Sequence, residues 1–159
     1  MYCAQYLSPV GPLLLTCSEE ALTGLRMNRE PPEPEGVHPV LEQAKQWLDA
    51  YFRGEETPVS FPLAPEGTAF QKQVWQILLT VPFGQTRSYG SIAREIAEVS
   101  GKEKMSAQAV GQAVGKNPIS IIVPCHRVVG AQGQMTGYAG GLEKKVWLLE
   151  HEKSHLPLP

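Results

Sequence analysis

A cysteine with basic neighbours is the strongest candidate for chemistry in this sequence. Residues 119–123 are aliphatic apart from one serine and predict a buried strand, which runs into Pro124-Cys125-His126-Arg127. Positive charge from His126 and Arg127 favours the thiolate, the nucleophilic form of cysteine. Because adjacent residues of an extended chain point to opposite sides, we expect His126 to act on the Cys125 thiol through a water or a shared network. A lone cysteine is more often a core residue, which is the alternative if the neighbours are ignored.

Helices in the second half of the chain must position this segment. Thr68 and Gln71 have the spacing of a capping box at the start of one helix. Ser88 and Ser106 are N-cap candidates for two further helices, which a loop around Gly101 separates. Two short helices across a glycine-containing turn are typical of a helix-turn-helix.

The second helix of this motif, over residues 107–114, is unusually slim. Val110 and Val114 lie one turn apart and can pack inward, while Ala107, Gly111 and glutamines occupy the other side. A slim helix suits close approach to the minor groove, which is only about 6 Å wide, whereas a major-groove reader carries long polar or basic side chains. Close packing inside a core is the competing interpretation, and the helix alone favours it.

The first half of the chain predicts a small αβ domain. Three short runs bounded by turn residues predict an antiparallel meander of strands at residues 2–6, 13–17 and 22–27. After a Pro- and Glu-rich loop at residues 30–36, apolar residues recur at helical spacing from Val40 to Phe52. Residues 57–65 predict an extended edge segment, because prolines interrupt them. The sequence therefore predicts an α+β protein with an N-terminal αβ domain over residues 1–67 and a mostly helical domain over residues 68–159.

Charge divides at the same boundary. The net charge is −2, but residues 1–67 carry 4 Lys and Arg against 10 Asp and Glu, a balance of −6, while residues 68–159 carry 10 against 6, a balance of +4. This asymmetry favours a phosphate-facing surface in the second half. Two ordinary solvated surfaces explain the charges equally well.

Composition excludes several classes of protein. The longest aliphatic stretches are too short to cross a bilayer. The start of the chain lacks the basic flank and apolar core of a secretory signal, and three cysteines cannot all pair within one chain. We therefore expect a reducing, cytoplasmic location and no membrane partner.

At the level of motifs, the sequence resembles the O6-alkylguanine-DNA alkyltransferase family over nearly its whole length. The family's nucleophile motif is present as Pro-Cys-His-Arg-Val at residues 124–128, preceded by Asn-Pro at 117–118 and followed by Gly-Tyr-Ala-Gly-Gly-Leu at 137–142. Leu-Leu-Glu-His-Glu at 148–152 also matches. The resemblance implies a winged-helix-like C-terminal domain that docks its helix-turn-helix in the minor groove and flips the damaged nucleotide into a pocket.

The resemblance also implies a role for each matching residue. Cys125 is the acceptor thiolate, His126 shuttles its proton through a water, and Glu152 orients and charges that histidine. Asn117 braces the turn that presents the cysteine, and Tyr89 donates a proton or hydrogen bond to the leaving guanine. The implied DNA-binding and base-pocket residues are Tyr89, Ser106, Ala107, Gln108, Gly111, Arg127, Val128, Tyr138 and Ala139.

Two features depart from well-known members of that family. Many of them have an arginine in the recognition helix where this sequence has Gln108, so we expect weaker, less salt-sensitive DNA binding or slower flipping. Some bind a structural zinc in the first domain. Cys3 and Cys17 are present here, but the histidines expected with them are absent and His38 falls in a loop region, so we expect no metal and no cofactor.

The expected function is DNA repair by a monomer in a single, irreversible step. It moves an alkyl group from O6-alkylguanine, and also from O4-alkylthymine, in duplex DNA to Cys125, with cooperativity along DNA left open. Three rivals remain. A protein that only binds alkylated bases would lack Cys125, and a helix-turn-helix regulator would carry a better reader of base edges. A thiol hydrolase using Cys125, His126 and Glu152 would need a glycine-rich oxyanion signature.

Overall fold

The structure is a computed structural model that describes residues 1–31 and 34–156. It has the predicted α+β class, with a small antiparallel sheet and one helix in the first half and mainly helices in the second. The predicted loop at residues 30–36 includes residues 32 and 33, which lie outside the described residues. The last three residues of the segment 68–159 also lie outside them.

The sheet has three antiparallel strands, β1 (Tyr2–Ser8), β2 (Gly11–Cys17) and β3 (Leu22–Met27), in that order. β1 extends beyond its predicted end at residue 6, because Ser8 pairs with Gly11 and leaves a two-residue hairpin loop. Gly11 has a φ of 99°, which side-chain-bearing residues rarely adopt. The tight loop therefore depends on this glycine.

Helix α1 (Pro39–Phe52) packs on this sheet, as its apolar spacing predicted. His38 caps it, because Nδ1 accepts a hydrogen bond from the backbone N–H of Val40 at 3.1 Å. Leu63, in the predicted edge segment, forms a parallel bridge with Leu22 of β3. The buried residues of α1 are Val40, Leu41, Ala44, Trp47, Leu48, Ala50 and Tyr51.

Helix α2 (Ala69–Leu78) begins with the predicted capping box. The Thr68 hydroxyl accepts from the Gln71 backbone N–H at 3.1 Å, and the Gln71 side chain accepts from the Thr68 N–H at 2.9 Å. Its buried residues are Val74, Trp75, Ile77 and Leu78, which share one face of the helix.

The predicted helix-turn-helix is formed by α3 (Tyr89–Ser100) and α4 (Ala107–Gly115). Ser88 caps α3 and Ser106 caps α4 through their side-chain oxygens. Gly101 ends α3 with a φ of 69°, the left-handed conformation that glycine adopts without steric penalty. Both caps and the turn therefore lie where the sequence predicted them.

The strand predicted at residues 119–123 is wrong. Ile119 forms a single parallel bridge with Leu25 of β3, and the chain then turns. Ile121 has a φ of 69°, which is incompatible with a strand and strained for a β-branched residue. This buried segment is a tight turn that leads directly to the cysteine.

The remaining elements frame that turn. Cys125–Arg127 and Ala131–Gly133 are short 3₁₀ helices. β4 (Arg87–Ser88) pairs in parallel with β5 (Val128–Val129). The buried residues of α5 (Leu142–Ser154) are Lys145, Leu148, His151 and Glu152.

One apolar cluster joins the two halves of the chain. It contains residues of the sheet and α1 together with residues of α2, α3, α4 and the 119–123 turn. The first half therefore supports the segment that carries the cysteine. No helix in the described ranges has both the length and the apolar character needed to span a membrane.

Candidate active site around Cys125

Cys125 lies at the start of a 3₁₀ turn and is 5% exposed. Its backbone N–H donates to the Val123 carbonyl at 2.8 Å, which fixes the sulfur relative to the preceding turn. Burial raises the pKa of the Cys125 thiol, while the Asn117 side chain, the Lys145 charge and the Tyr138 hydroxyl act in the opposite direction. Because burial dominates, formation of the thiolate requires a nearby proton acceptor.

Asn117 braces the turn before the cysteine. Its Nδ2 donates to the carbonyls of Val123 at 2.8 Å and Ile119 at 3.3 Å, and its Oδ1 accepts from the Ile119 N–H at 3.0 Å. These bonds hold Ile121 in its left-handed conformation, since strained backbone persists only where its surroundings over-determine it. The structure thus brings Asn117 into hydrogen-bond contact with the turn that precedes Cys125.

His126 and Glu152 form a buried pair in which His126 Nε2 lies 2.6 Å from Glu152 Oε2. The other ring nitrogen, Nδ1, is buried and has no hydrogen-bond partner among residues 1–31 and 34–156. Burial lowers the pKa of His126, although its bond to Glu152 opposes this effect. The imidazole is therefore neutral at neutral pH, and one nitrogen remains available to accept a proton.

Glu152 is the centre of this network. Although burial alone would raise the pKa of Glu152, interactions with His126 and Arg127 lower it below its ordinary value. The carboxylate also accepts from the Tyr51 hydroxyl at 2.7 Å and from the Gly84 N–H at 3.0 Å. A fully buried carboxylate with this many donors remains ionised and fixed in orientation.

Tyr51 was missed as a site residue by the sequence analysis. It belongs to α1 in the first half and is 1% exposed, and it was interpreted only as part of an apolar helix face. Its hydroxyl contacts Glu152 across 101 positions of sequence. No local pattern signals such a contact, although a buried tyrosine normally has a polar partner.

Arg127 and Val128 are both buried, and their implied roles at the DNA interface or base pocket stay predictions. Arg127 does not face outward: Nε and Nη2 donate to Glu152 at 2.8 and 3.0 Å, and Nη1 donates to the Val81 carbonyl at 2.7 Å. Val128 is fully buried in β5. The 3₁₀ turn replaces the expected extended chain, and it directs the guanidinium inward to a carboxylate that sequence reasoning had assigned to His126 alone.

Four of the other implied DNA-binding residues line one exposed cleft: Tyr89, Ala107, Gln108 and Gly111. This cleft has a volume of about 880 Å³ and lies between α3, α4 and the loop at residues 131–137. Ser106, Ala107 and Gln108 are exposed at the start of α4. The cleft is lined by Ser88, Tyr89, Gly90, Arg94, Ala107, Gln108, Gly111, Gln112, Ala131, Gln132, Thr136 and Gly137.

Arg94, which sequence reasoning did not single out, adds an exposed positive charge to this cleft. The Tyr89 hydroxyl lies 2.7 Å from Thr136 Oγ1 on the opposite wall. Tyr138 has a buried hydroxyl, and burial together with the Cys125 sulfur raises its pKa. Ala139 is exposed in the loop before α5, outside the residues that line the cleft.

Lys145 is a second functional candidate that sequence reasoning missed. It is fully buried, and its Nζ donates to the Thr136 carbonyl and hydroxyl at 3.4 and 3.3 Å. Its spacing from Leu148 and Glu152 is that of one helix face, and this spacing was the available signal. The described residues contain no cluster of His, Cys, Asp or Glu that could hold a metal ion.

A buried cysteine with a histidine–glutamate pair, next to an exposed helix-turn-helix, fits a DNA repair methyltransferase, and the comparisons establish that class. The family model described as 6-O-methylguanine DNA methyltransferase, DNA binding domain, matches residues 69–154. The model for the ribonuclease-like domain of the same family matches residues 1–65. The chain belongs to the 6-O-methylguanine DNA methyltransferase family.

Similar proteins carry the same description along nearly their whole length. The chain is 47% identical to the methylated-DNA–protein-cysteine methyltransferase of Mycobacterium leprae over 96% of this chain and 93% of that protein. It is 48% identical to the Mycobacterium tuberculosis protein of the same name, over 94% and 91% of the two chains. The crystal structure of Mycobacterium tuberculosis OGT in complex with DNA matches with a TM-score of 0.85 and 45% identity, over 99% of this chain and 96% of that chain.

Proposed function

We propose that this protein repairs duplex DNA by moving an alkyl group from the O6 atom of guanine to Cys125, and that it also accepts O4-alkylthymine. The observation that carries the proposal is the His126–Glu152 pair beside the buried thiol, with His126 Nδ1 left available. A neutral imidazole held by a carboxylate is suited to accept a proton from a nearby nucleophile. The names of the similar mycobacterial proteins and the DNA complex of one of them support the same reaction.

The proposed step is one displacement at carbon. The thiol proton passes to His126 through a water, and the sulfur attacks the methyl carbon as the bond from carbon to O6 breaks. The electron pair of that bond stays on the purine, which gains one proton overall, so a thiol and O6-methylguanine become a thioether and guanine. Tyr89 donates a hydrogen bond or proton to the purine as negative charge develops on it.

Base flipping follows from the burial of the sulfur. Cys125 is 5% exposed, so its sulfur cannot reach an alkyl group within a stacked duplex. Enzymes that act on a base in this situation extrude the nucleotide, at an unstacking cost of a few kcal/mol. We propose that α4 enters the minor groove, that Gln108 occupies the space left by the base, and that Tyr138 and Ala139 contact the flipped nucleotide.

Each molecule is proposed to act once. A thioether has no activated leaving group, and the other two cysteines, Cys3 and Cys17, lie in β1 and β2 of the sheet rather than beside Cys125. We propose a monomer with an αβ domain and a DNA-binding domain that meet near Gly67, where the matches to the two family models also divide.

The test is to map the adduct. The protein is incubated with a duplex oligonucleotide containing one O6-methylguanine and is then digested for mass spectrometry. We expect one added methyl group on the peptide containing Cys125, none in Cys125→Ala, and an unchanged adduct in the control Cys17→Ala. Tight lesion binding without an adduct would support a binding protein, and many lesions processed per molecule would support a hydrolase; either result contradicts the proposal.

A further inference from the structure

Lys145 is a buried cation without a carboxylate partner. Its side chain is fully buried, and none of the ion pairs found in the described part of the chain includes it. Its hydrogen bonds are two long contacts with Thr136. A buried charge destabilises a protein unless it is paired, so the position of Lys145 requires another explanation.

The position of Lys145 in its helix adds to the free-energy cost of burying its charge. Lys145 is the fourth residue of α5 (Leu142–Ser154), close to the helix end that carries partial positive charge. A cation is favoured at the opposite end. Folding alone therefore does not select a lysine here, and an apolar residue of similar length would suit both the burial and the helix dipole.

The surroundings of Lys145 indicate what its charge does. Nζ lies 6.0 Å from the centroid of the Tyr89 ring, and its charge acts on the Cys125 thiol. Thr136 Oγ1 lies between the two polar groups, 3.3 Å from Lys145 Nζ and 2.7 Å from the Tyr89 hydroxyl. The cation thus lies beside the residue that contacts the leaving purine, and its charge also lowers the pKa of the Cys125 thiol.

The donors and acceptors give this network a direction. Lysine can only donate, so the Thr136 oxygen accepts from Lys145. The single Thr136 proton can then be donated to the Tyr89 oxygen, which leaves the Tyr89 proton available for the purine. A chain of this kind makes each successive donor stronger.

We propose that Lys145 is a positioning residue for the transfer reaction, acting in two ways. Its ammonium group stabilises the Cys125 thiolate, and through Thr136 it orients the Tyr89 hydroxyl toward the leaving base. The inference rests on the proposed function. It assigns the unpaired buried charge to the two sites where negative charge appears during transfer.

Lys145→Met tests the charge, and Lys144→Met is the matched control. Lys144 is the adjacent residue in the same helix turn, but it contacts Asn28 in the first half of the chain. We expect Lys145→Met to slow single-turnover methyl transfer by about tenfold or more, without lowering Tm, because removal of a preorganised charge weakens transition-state stabilisation. Lys144→Met should transfer at the wild-type rate. A transfer rate in Lys145→Met within about twofold of wild type would overturn the inference.

A second readout requires no DNA. The pH dependence of Cys125 alkylation by iodoacetamide reports the thiolate directly. The titratable groups around the thiol are Lys145, Tyr138 and His126, and His126 interacts in turn with Glu152 and Arg127. The variant changes only Lys145. The midpoint should move to higher pH in Lys145→Met, and an unmoved midpoint contradicts the thiolate role. If wild-type protein fails to take methyl from DNA, the proposed function fails while this profile still tests Lys145.

Thr136→Val separates the two roles and serves if Lys145→Met does not fold. It removes the hydroxyl link to Tyr89 and keeps the ammonium group. We expect slower transfer from DNA with an unchanged iodoacetamide midpoint. Wild-type transfer in Thr136→Val would contradict the link to Tyr89.

Discussion

Replacement of Arg127 by methionine distinguishes support of a buried carboxylate from contact with DNA. The guanidinium donates to both oxygens of Glu152 and to the Val81 carbonyl, and Arg127 is 8% exposed. Removing one partner of a buried ion pair leaves the other charge uncompensated, at a cost of about 3–5 kcal/mol. For a chain of this length each kcal/mol lowers Tm by about 2–4 °C, so we expect Arg127→Met to lose roughly 6–20 °C.

Two measurements on the same variant test this reasoning. Urea denaturation gives the free energy of unfolding, and DNA affinity at several salt concentrations, measured well below Tm, gives the slope of log affinity against log salt. We expect Arg127→Met to lose stability and to keep the wild-type slope. Arg94→Met is the control with the opposite expectation: because Arg94 is exposed in the cleft, its loss should lower the slope by about one with little change in stability. The inward placement of Arg127 would be refuted if Arg127→Met kept the wild-type stability while its log affinity for DNA depended less steeply on log salt.

Three further predictions concern the same network and the DNA cleft. Tyr51→Phe should lower the free energy of unfolding in urea by about 1.5–3 kcal/mol, because Glu152 loses a buried hydrogen bond. Tyr6→Phe removes an exposed hydrogen bond to Asp49 and should change the free energy far less; equal effects would contradict this. Because the pKa of Glu152 is lowered in the folded protein, the stability that it contributes is present above about pH 4.5 and is lost as the pH falls further. When denaturation is measured across pH, the free energy of unfolding of Glu152→Gln should therefore fall less steeply on the acid side than that of the wild type. Gln108→Arg should bind DNA more tightly and with greater salt sensitivity in fluorescence titrations, and unchanged affinity and transfer rate would show that residue 108 does not contact the groove.

Local rules predicted most of the fold. The capping box at Thr68 and the serine caps of α3 and α4 were readable because each depends on side chains within three positions of the helix start. The apolar face of α1 was readable for a similar reason, since it repeats with the helical period. Predictions of this kind succeed wherever neighbours in sequence determine the backbone.

Helix α5 and the 119–123 turn show where those rules fail. The buried face of α5 consists mainly of polar residues, including Lys145 and Glu152, so apolar periodicity gives no signal for it. The aliphatic run before the cysteine looks like a strand, but Asn117 holds Ile121 in a left-handed conformation that its residue type disfavours. In both places the residues that serve the site override the local preference.

For the same reason, only part of the candidate site could be predicted from the sequence. Cys125, His126 and Glu152 could be named because motifs mark them, but their partners could not. Tyr51 reaches Glu152 from the other half of the chain, and Arg127 turns inward because the 3₁₀ geometry directs it there. Contacts between distant segments are set by tertiary packing, which no local pattern records.

The central claim is that each Cys125 sulfur accepts one alkyl group and cannot accept a second. The most direct measurement is a titration of a fixed amount of protein with increasing duplex DNA that carries radiolabelled O6-methylguanine, followed to completion. We expect the label on the protein to reach a plateau at about one methyl group per molecule and to stay at background in Cys125→Ser. Guanine repair that continues beyond one lesion per molecule, or label that persists in Cys125→Ser, would contradict it.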